Sequence, residues 1–246
     1  ISKEETDKLL KKISAEEGVP YEIISSIAYI ESRGQQFVWG EPVVSFDGGT
    51  GIMQVTPING SINIQYTGET FGPEDIERMK TDTEFNIRVG AKILYDKWLS
   101  SFGGALPKVS DMNPDVLENW YFAVMAYNGY SKVNMPGSSW KGAYQERVFN
   151  NIEGFNKEYF TADKISAHGF DSDGLPARGK IYELGDKLSV RQTTGYELNA
   201  GDEAAVKVEG SKLRNSPNLS SDGVITKLAA GERVRILEDG GLSSGY

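Results

Sequence analysis

The sequence predicts a mainly α domain followed by a small all-β domain. Two patterns carry that expectation. From Ile1 to about Phe160, apolar residues recur at helical spacing between glycine and proline stops. After Thr161 the chain passes through "DSDGLPARGK" into short alternating runs such as "KLSVRQTTG" and "EAAVKVEG", which read as strands bounded by turns. The expected divisions are a helical domain over 1–160, a linker over 161–180 and a β domain over 181–246.

Taken in order, Leu9, Leu10 and Ile13 share one face of a first helix that ends at Gly18. Pro20 to Ile30 reads as the second, with Pro20 near its first turn and Gly34 just past its end. Ile87, Ala91, Leu94, Tyr95, Trp98 and Phe102 follow helical spacing up to Gly103-Gly104. Another helix is expected over Pro114 to Asn128, with Leu117, Trp120, Tyr121, Val124 and Tyr127 on one face, and a further one around Val148, Phe149 and Ile152. Trp98, Phe102 and Trp120 are expected to be core packing. Behind the linker, "KLRNSPNLSSDGVITKLAAGERVRILEDG" combines a Ser-Pro-Asn turn with two strands rich in Val and Ile.

Composition narrows the chemistry. With 246 residues, 39% hydrophobic and 11% aromatic, the chain is long and apolar enough to bury a core. It has no cysteine, which removes disulfides, thiolate nucleophiles and cysteine-type zinc sites. The one histidine, His168, lies in the loop-like stretch "AHGFDSDG" and is expected to be exposed rather than catalytic. "DSDG" fails as a calcium loop, because setting Gly174 at its sixth position puts Gly169 at the first and Lys180 at the twelfth. No metal or cofactor is expected. The net charge of -9, concentrated in the first 160 residues, argues against a nucleic-acid partner. No apolar run is long enough to span a membrane, and the residues from Ile1 onward do not read as a signal peptide.

One residue breaks the pattern of an ordinary helix. In "SIAYIESRG" Glu31 lies three, four and seven residues after Ala28, Ile27 and Ile24, so its carboxylate shares the apolar stripe. It also sits at the negative end of the helix dipole. Desolvation and the dipole both disfavour the ionised form, which predicts a raised pKa. The ordinary alternative is a surface glutamate in a frayed last turn.

Four short motifs decide between these readings. "ES" at 31–32, "GIMQVTP" at 51–57, "NIRVGAKIL" at 86–94 and "AYNG" at 126–129 occur in the order and at the separations of a known family. Over about residues 15–155 the chain resembles the lytic transglycosylase domain of the soluble-lytic-transglycosylase type. The resemblance implies a lysozyme-like fold and cleavage of peptidoglycan between N-acetylmuramic acid and N-acetylglucosamine. It makes Glu31 the catalytic acid/base and places Ser45, Met53, Gln54, Tyr127 and Asn128 in the substrate cleft. Ser45 fits the family's Ser-x-x-Gly-Ala-x-Gly lead-in, with Gly49 standing for the alanine. The family's acidic-Thr-x-x-Tyr-Val signature is replaced by "YQERVF", with Phe149 where a tyrosine hydroxyl is expected. The insertion "WGEPVVSFDGG" and the segment 59–80 are expected to reshape the subsites.

That chemistry explains a lone carboxylate. Most glycosidases need two carboxyl groups, whereas a transglycosylase uses the substrate's own 2-acetamido and 6-hydroxyl groups, and one glutamate acts first as acid and then as base. The C-terminal stretch "LRNSPNLSSDGVITKLAAGERVRIL" resembles a bacterial SH3 domain that stops before its second half. That implies attachment to wall peptides and an extracellular or cell-wall location. Two rival readings stay open: a lysozyme-like hydrolase in which Asp47 positions water, and a catalytically idle wall-binding protein that holds glycan strands.

Overall fold

The computed structural model describes residues 1–136, 142–185, 188–189, 203–205, 211–214, 224–229 and 232–235. Two compact units divide the chain, Ile1–Gly195 and Tyr196–Tyr246. The first is mainly helical.

Helix α1 (Lys3–Glu17) starts at a capping box in which the Ser2 hydroxyl accepts from the Glu5 amide and the Glu5 carboxylate accepts from the Ser2 amide. Gly18, with φ of 71°, closes it in the left-handed conformation. Helix α2 (Tyr21–Ser32) ends on Arg33, which takes the left-handed position at φ of 59° and stacks its guanidinium on the Tyr29 ring. The last turn of α2 therefore includes Glu31. Helix α3 (Pro73–Thr81) runs directly into the long α4 (Thr83–Ser100), capped by the Asp82 carboxylate accepting from the Phe85 amide at 2.9 Å. Helix α5 (Tyr121–Asn128) follows a 3-10 turn over Leu117–Trp120, so Pro114 lies outside the helix expected there. Helix α6 (Tyr144–Asn150) is short.

These helices pack α1 on α2 and α4, α4 on α5, and α6 on both α2 and α5. Ile13, Ile23, Ile24, Ile27, Ile87 and Leu94 are fully buried between them. Trp98 and Trp120 stack at 5.2 Å between ring centroids, as expected of core residues. Phe102 departs from that expectation: it lies past the end of α4, half exposed, with its ring edge-on to Trp98.

The segment expected to be a linker folds with the helical unit. Helix α7 (Ala162–His168) buries Ile165, and Leu175 and Ala177 are buried behind it. Strand β6 (Ile181–Tyr182) pairs in parallel with β5 (Lys108–Val109), and the Tyr182 ring packs on Phe122 and Phe160. Further along, Ser189 accepts from the Leu117 amide at 2.9 Å and donates its own amide to the fully buried Glu118 carboxylate at 2.9 Å. His168 ends α7 rather than lying in a loop, and its ring stacks on Tyr182 at 3.8 Å. The "DSDG" stretch is a turn: the Asp171 carboxylate accepts from the Asp173 and Leu175 amides and pairs with Arg178.

Between α2 and α3 the chain makes tight antiparallel turns. Strands β1 (Phe37–Val38) and β2 (Glu41–Pro42) form a hairpin, bridges join Val44 to Thr50 and Thr50 to Val55, and β3 (Ile62–Asn63) pairs with β4 (Thr70–Phe71). In the second unit β7 (Glu203–Ala205) pairs antiparallel with β10 (Arg233–Arg235), and β8 (Ser211–Arg214) with β9 (Val224–Leu228). The two strands rich in Val and Ile are thus present. The Ser-Pro-Asn turn, most of "KLSVRQTTG" and the final "GLSSGY" lie outside the described residues. Among the described residues no helix is long and apolar enough to cross a membrane.

Candidate active site

The site is built around a loop whose first half, Thr50 and Gly51, is held by backbone bonds to Val43, Gln54 and Val55, and whose second half, Ile52 and Met53, is held by side chains. Residues 50–53 cross the interior, where each amide and carbonyl needs a hydrogen bond. Side chains from α2, α4, α5 and the segment after α2 supply those of Ile52 and Met53. Gln36, itself buried, accepts from the Ile52 amide at 2.9 Å and anchors to the Met79 and Lys80 carbonyls at 2.8 Å each. Asn86, in the first turn of α4, accepts from the Met53 amide at 2.9 Å and donates to the Thr50 carbonyl at 2.8 Å. The Ser32 hydroxyl donates to the Ile52 carbonyl at 2.8 Å, and the Tyr127 hydroxyl to the Met53 carbonyl at 2.9 Å. Gly51 has φ of 72°, and a Cβ there would come within 2.4 Å of Asn86 Nδ2, so only glycine fits.

The quoted motifs are therefore first of all the clamps of this loop. "ES" contributes Ser32, "NIRVG" contributes Asn86, and "AYNG" contributes Tyr127. Gly90, one turn after Asn86, leaves room for Met53: a Cβ on it would lie 2.7 Å from Met53 Cβ.

Over the loop lies a groove of about 800 Å³. Of the residues that the resemblance puts in the cleft, Glu31, Ser45, Gln54, Tyr127 and Asn128 line it. Met53 does not. Its side chain is fully buried over Gly90, and it reaches the site only through its carbonyl. Tyr127 likewise spends its hydroxyl on that carbonyl, not on Glu31. Gln54 folds back, donating to the Gly51 carbonyl at 2.8 Å, and Asn128 accepts from Asn134 at 3.2 Å. Ser45 donates to Asp47, which also accepts weakly from the Gly49 amide; these bonds hold the exposed Asp47 carboxyl below the usual carboxylate range.

Glu31 is partly buried, and its Oε1 accepts from the Tyr144 hydroxyl at 2.6 Å. Burial pushes its carboxyl above the ordinary 4.5, the Tyr144 hydrogen bond and the Arg147 charge pull back, and Asp47 adds to the rise. Tyr144 stays a phenol, because burial and the neighbouring Glu31 both push its own pKa well above 10.0. Its ring stacks on Tyr127 at 6.5 Å between centroids.

Tyr144 is the residue that the sequence reading missed. The expected place was Phe149, which is instead buried in the core, stacked on Phe155 at 4.1 Å and on Tyr121. The hydroxyl comes from the first residue of the same "YQERVF" stretch, one helical turn before Val148. Asp96 was missed as well. It lines the groove from the apolar stripe of α4, buried, with its carboxylate accepting from the Tyr66 amide at 2.8 Å.

The arrangement offers one carboxyl whose pKa is raised by burial, a neutral phenol that orients it and an open groove lined with hydrogen-bonding side chains. A comparison with protein families matches the Transglycosylase SLT domain over residues 8–146, more than half of the chain. No curated protein matches the chain.

Proposed function

The chain belongs to the transglycosylase SLT family, which acts on peptidoglycan, and from that premise we propose that it is a lytic transglycosylase cleaving the β-1,4 bond between N-acetylmuramic acid and N-acetylglucosamine. The observation that carries the proposal is the Glu31 carboxyl, which lines the groove with its pKa raised by burial and is aimed by the Tyr144 hydroxyl.

Glu31 donates its proton to the leaving glycosidic oxygen as the bond to the muramic anomeric carbon breaks. The sugar's 2-acetamido carbonyl supports that carbon. The Glu31 carboxylate then takes the proton of the same sugar's 6-hydroxyl, whose oxygen closes on the anomeric carbon. The proton ends where it began, no water is consumed, and the product carries a 1,6-anhydro muramic end. Ser45, Gln54 and Asn128 are assigned to hydrogen-bonding the glycan along the groove, and Tyr127 and Met53 to holding its floor. Action at the cell wall or outside the cell follows from that substrate. The second unit, residues 196–246, rather than the whole of 181–246, is assigned to wall binding as an SH3-like module, for which its two antiparallel strand pairs are the support.

The test is to digest purified peptidoglycan and weigh the soluble fragments. Anhydro-muramic ends, lighter by one water than hydrolytic products, are expected. Reducing muramic ends as the sole product would replace the proposal with a hydrolase that uses Asp47, the exposed carboxylate of the groove wall, to position water. Wall binding without any cleavage would leave the idle-binder reading.

A further inference from the structure

The groove rim carries two large apolar side chains that the protein itself does not use. Phe46 is fully exposed, and Ile58 is 75% exposed. Both sit on tight turns that hold them in place. The Phe46 turn is closed by the Gly48 amide donating to the Ser45 carbonyl at 3.1 Å and the Ser45 amide donating to the Gly49 carbonyl at 2.8 Å, with Gly48 at φ of 88°. Ile58 and Ser61 exchange two backbone bonds around Asn59 and Gly60, both at positive φ. An ordered turn that presents an aromatic ring wholly to water places apolar area where folding gains nothing from it.

The position of the turn says what meets that ring. Ser45 and Asp47, the residues on either side of Phe46, line the groove, as does Ile58. Whatever fills the groove and leaves it on this side passes Phe46. A β-linked pyranose presents axial C–H bonds on its face, and these suit the negative face of an aromatic ring. The neighbouring Ser45 hydroxyl and Asp47 carboxylate are placed to take the sugar's equatorial hydroxyl and amide groups. The Asp47 charge and the net charge of -9 disfavour an anionic lipid surface in the same place.

We propose that Phe46, flanked by Ile58, is a sugar-stacking platform that extends the glycan site beyond the groove, so that it adds affinity for longer strands and none to the chemical step. This rests on the glycan-cleaving reading above, and the test separates the two. Binding is read in the Glu31→Gln protein, titrated with short and long soluble β-1,4-linked N-acetylglucosamine oligomers, with and without Phe46→Ala. Cleavage of peptidoglycan is read in the otherwise unchanged protein. With Phe46→Ala, KM for long strands and the dissociation constant for long oligomers should rise by roughly three- to tenfold. The kcat, the affinity for the shortest oligomers and the melting temperature should stay unchanged, and Phe46→Trp should restore the affinity. Unchanged binding of long oligomers in Phe46→Ala overturns the platform while leaving the enzyme reading intact. A lower melting temperature or an equal loss on short and long oligomers also overturns it, since either means that Phe46 supports the fold or the groove itself. If the chain carrying Phe46 neither binds oligomers nor cleaves peptidoglycan, the glycan reading itself falls.

Discussion

Replacing Glu31 by Gln keeps the size of the side chain and an oxygen that can accept from Tyr144, but removes both the proton donor and the later base. Cleavage of peptidoglycan should fall by at least about 100-fold while glycan binding survives. The same variant tests the proton linkage. Burial lifts the Glu31 carboxyl above 4.5 in the folded chain, so between that value and its higher folded value the native state holds more protons than the unfolded one. Stability contributed by the protonated carboxyl is complete in acid and is lost as pH rises through that window. Glu31→Gln carries no such linkage, so its advantage over the parent should grow with pH to on the order of 1 kcal/mol and vanish in acid. Parallel thermal melts across pH read it, and a constant difference would contradict the buried carboxyl. Tyr144→Phe should act differently. It removes a hydrogen bond that favours the charged carboxylate, so the Glu31 pKa should rise further and the corresponding limb of the pH–rate profile should move to higher pH. A tyrosine with a purely packing role would leave that limb in place.

At the scale of the element, the hairpin of β1 and β2 turns on Trp39 and Gly40, both at positive φ, 53° and 89°. That is the two-residue turn whose first position favours Asn, because a left-handed backbone crowds the side chain of a bulky residue. Trp39 is fully exposed and has no packing to lose. Trp39→Asn should therefore raise stability by about 1 kcal/mol, seen as a higher midpoint in denaturant. A drop would mean that the indole is held against something. The 50–53 loop shows the opposite economy. Its crossing of the interior is tolerated because Ser32, Gln36, Asn86 and Tyr127 satisfy the amides and carbonyls of Ile52 and Met53 one by one, while backbone bonds hold Thr50 and the left-handed Gly51. The purpose of those polar residues is visible only when the loop lies between them.

For the molecule as a whole, the consequence lies in where the helical unit ends. A chain cut after Phe160 would strip Ile165, Leu175 and Tyr182 from the core and take away the Ser189 amide that the buried Glu118 carboxylate accepts. A buried carboxylate that loses a partner of this kind costs about 1–3 kcal/mol before any apolar area is counted. A fragment of residues 1–195 should fold cooperatively and cleave soluble glycans, with weaker retention on intact walls if the second unit binds them. A fragment of residues 1–160 should melt well below it. Equal melting temperatures would show that the packing of 161–189 adds nothing.

Helical periodicity, the glycine stops and the change of pattern after Thr161 were legible in the chain itself, because local spacing decides which face of a helix turns inward. Glu31 was legible for the same reason: a carboxylate on an apolar stripe at a helix end is a local anomaly. The partners of that carboxylate were not. Tyr144 lies 113 positions from Glu31, and which hydroxyl of "YQERVF" reaches it depends on how α6 is set against α2. The same limit hid Gln36, whose burial is decided by a loop sixteen positions away, and Asp96, whose neighbour is the Tyr66 amide. It also made residues 161–180 read as a linker and put Tyr182 in the β domain, since short turns rich in Gly and Asp give no periodic signal, and only the apolar pocket left by Phe122 and Phe160 draws Tyr182 into the core. Local order is written in nearest neighbours along the chain; contacts across it are chosen by which surfaces remain to be buried once the helices have packed.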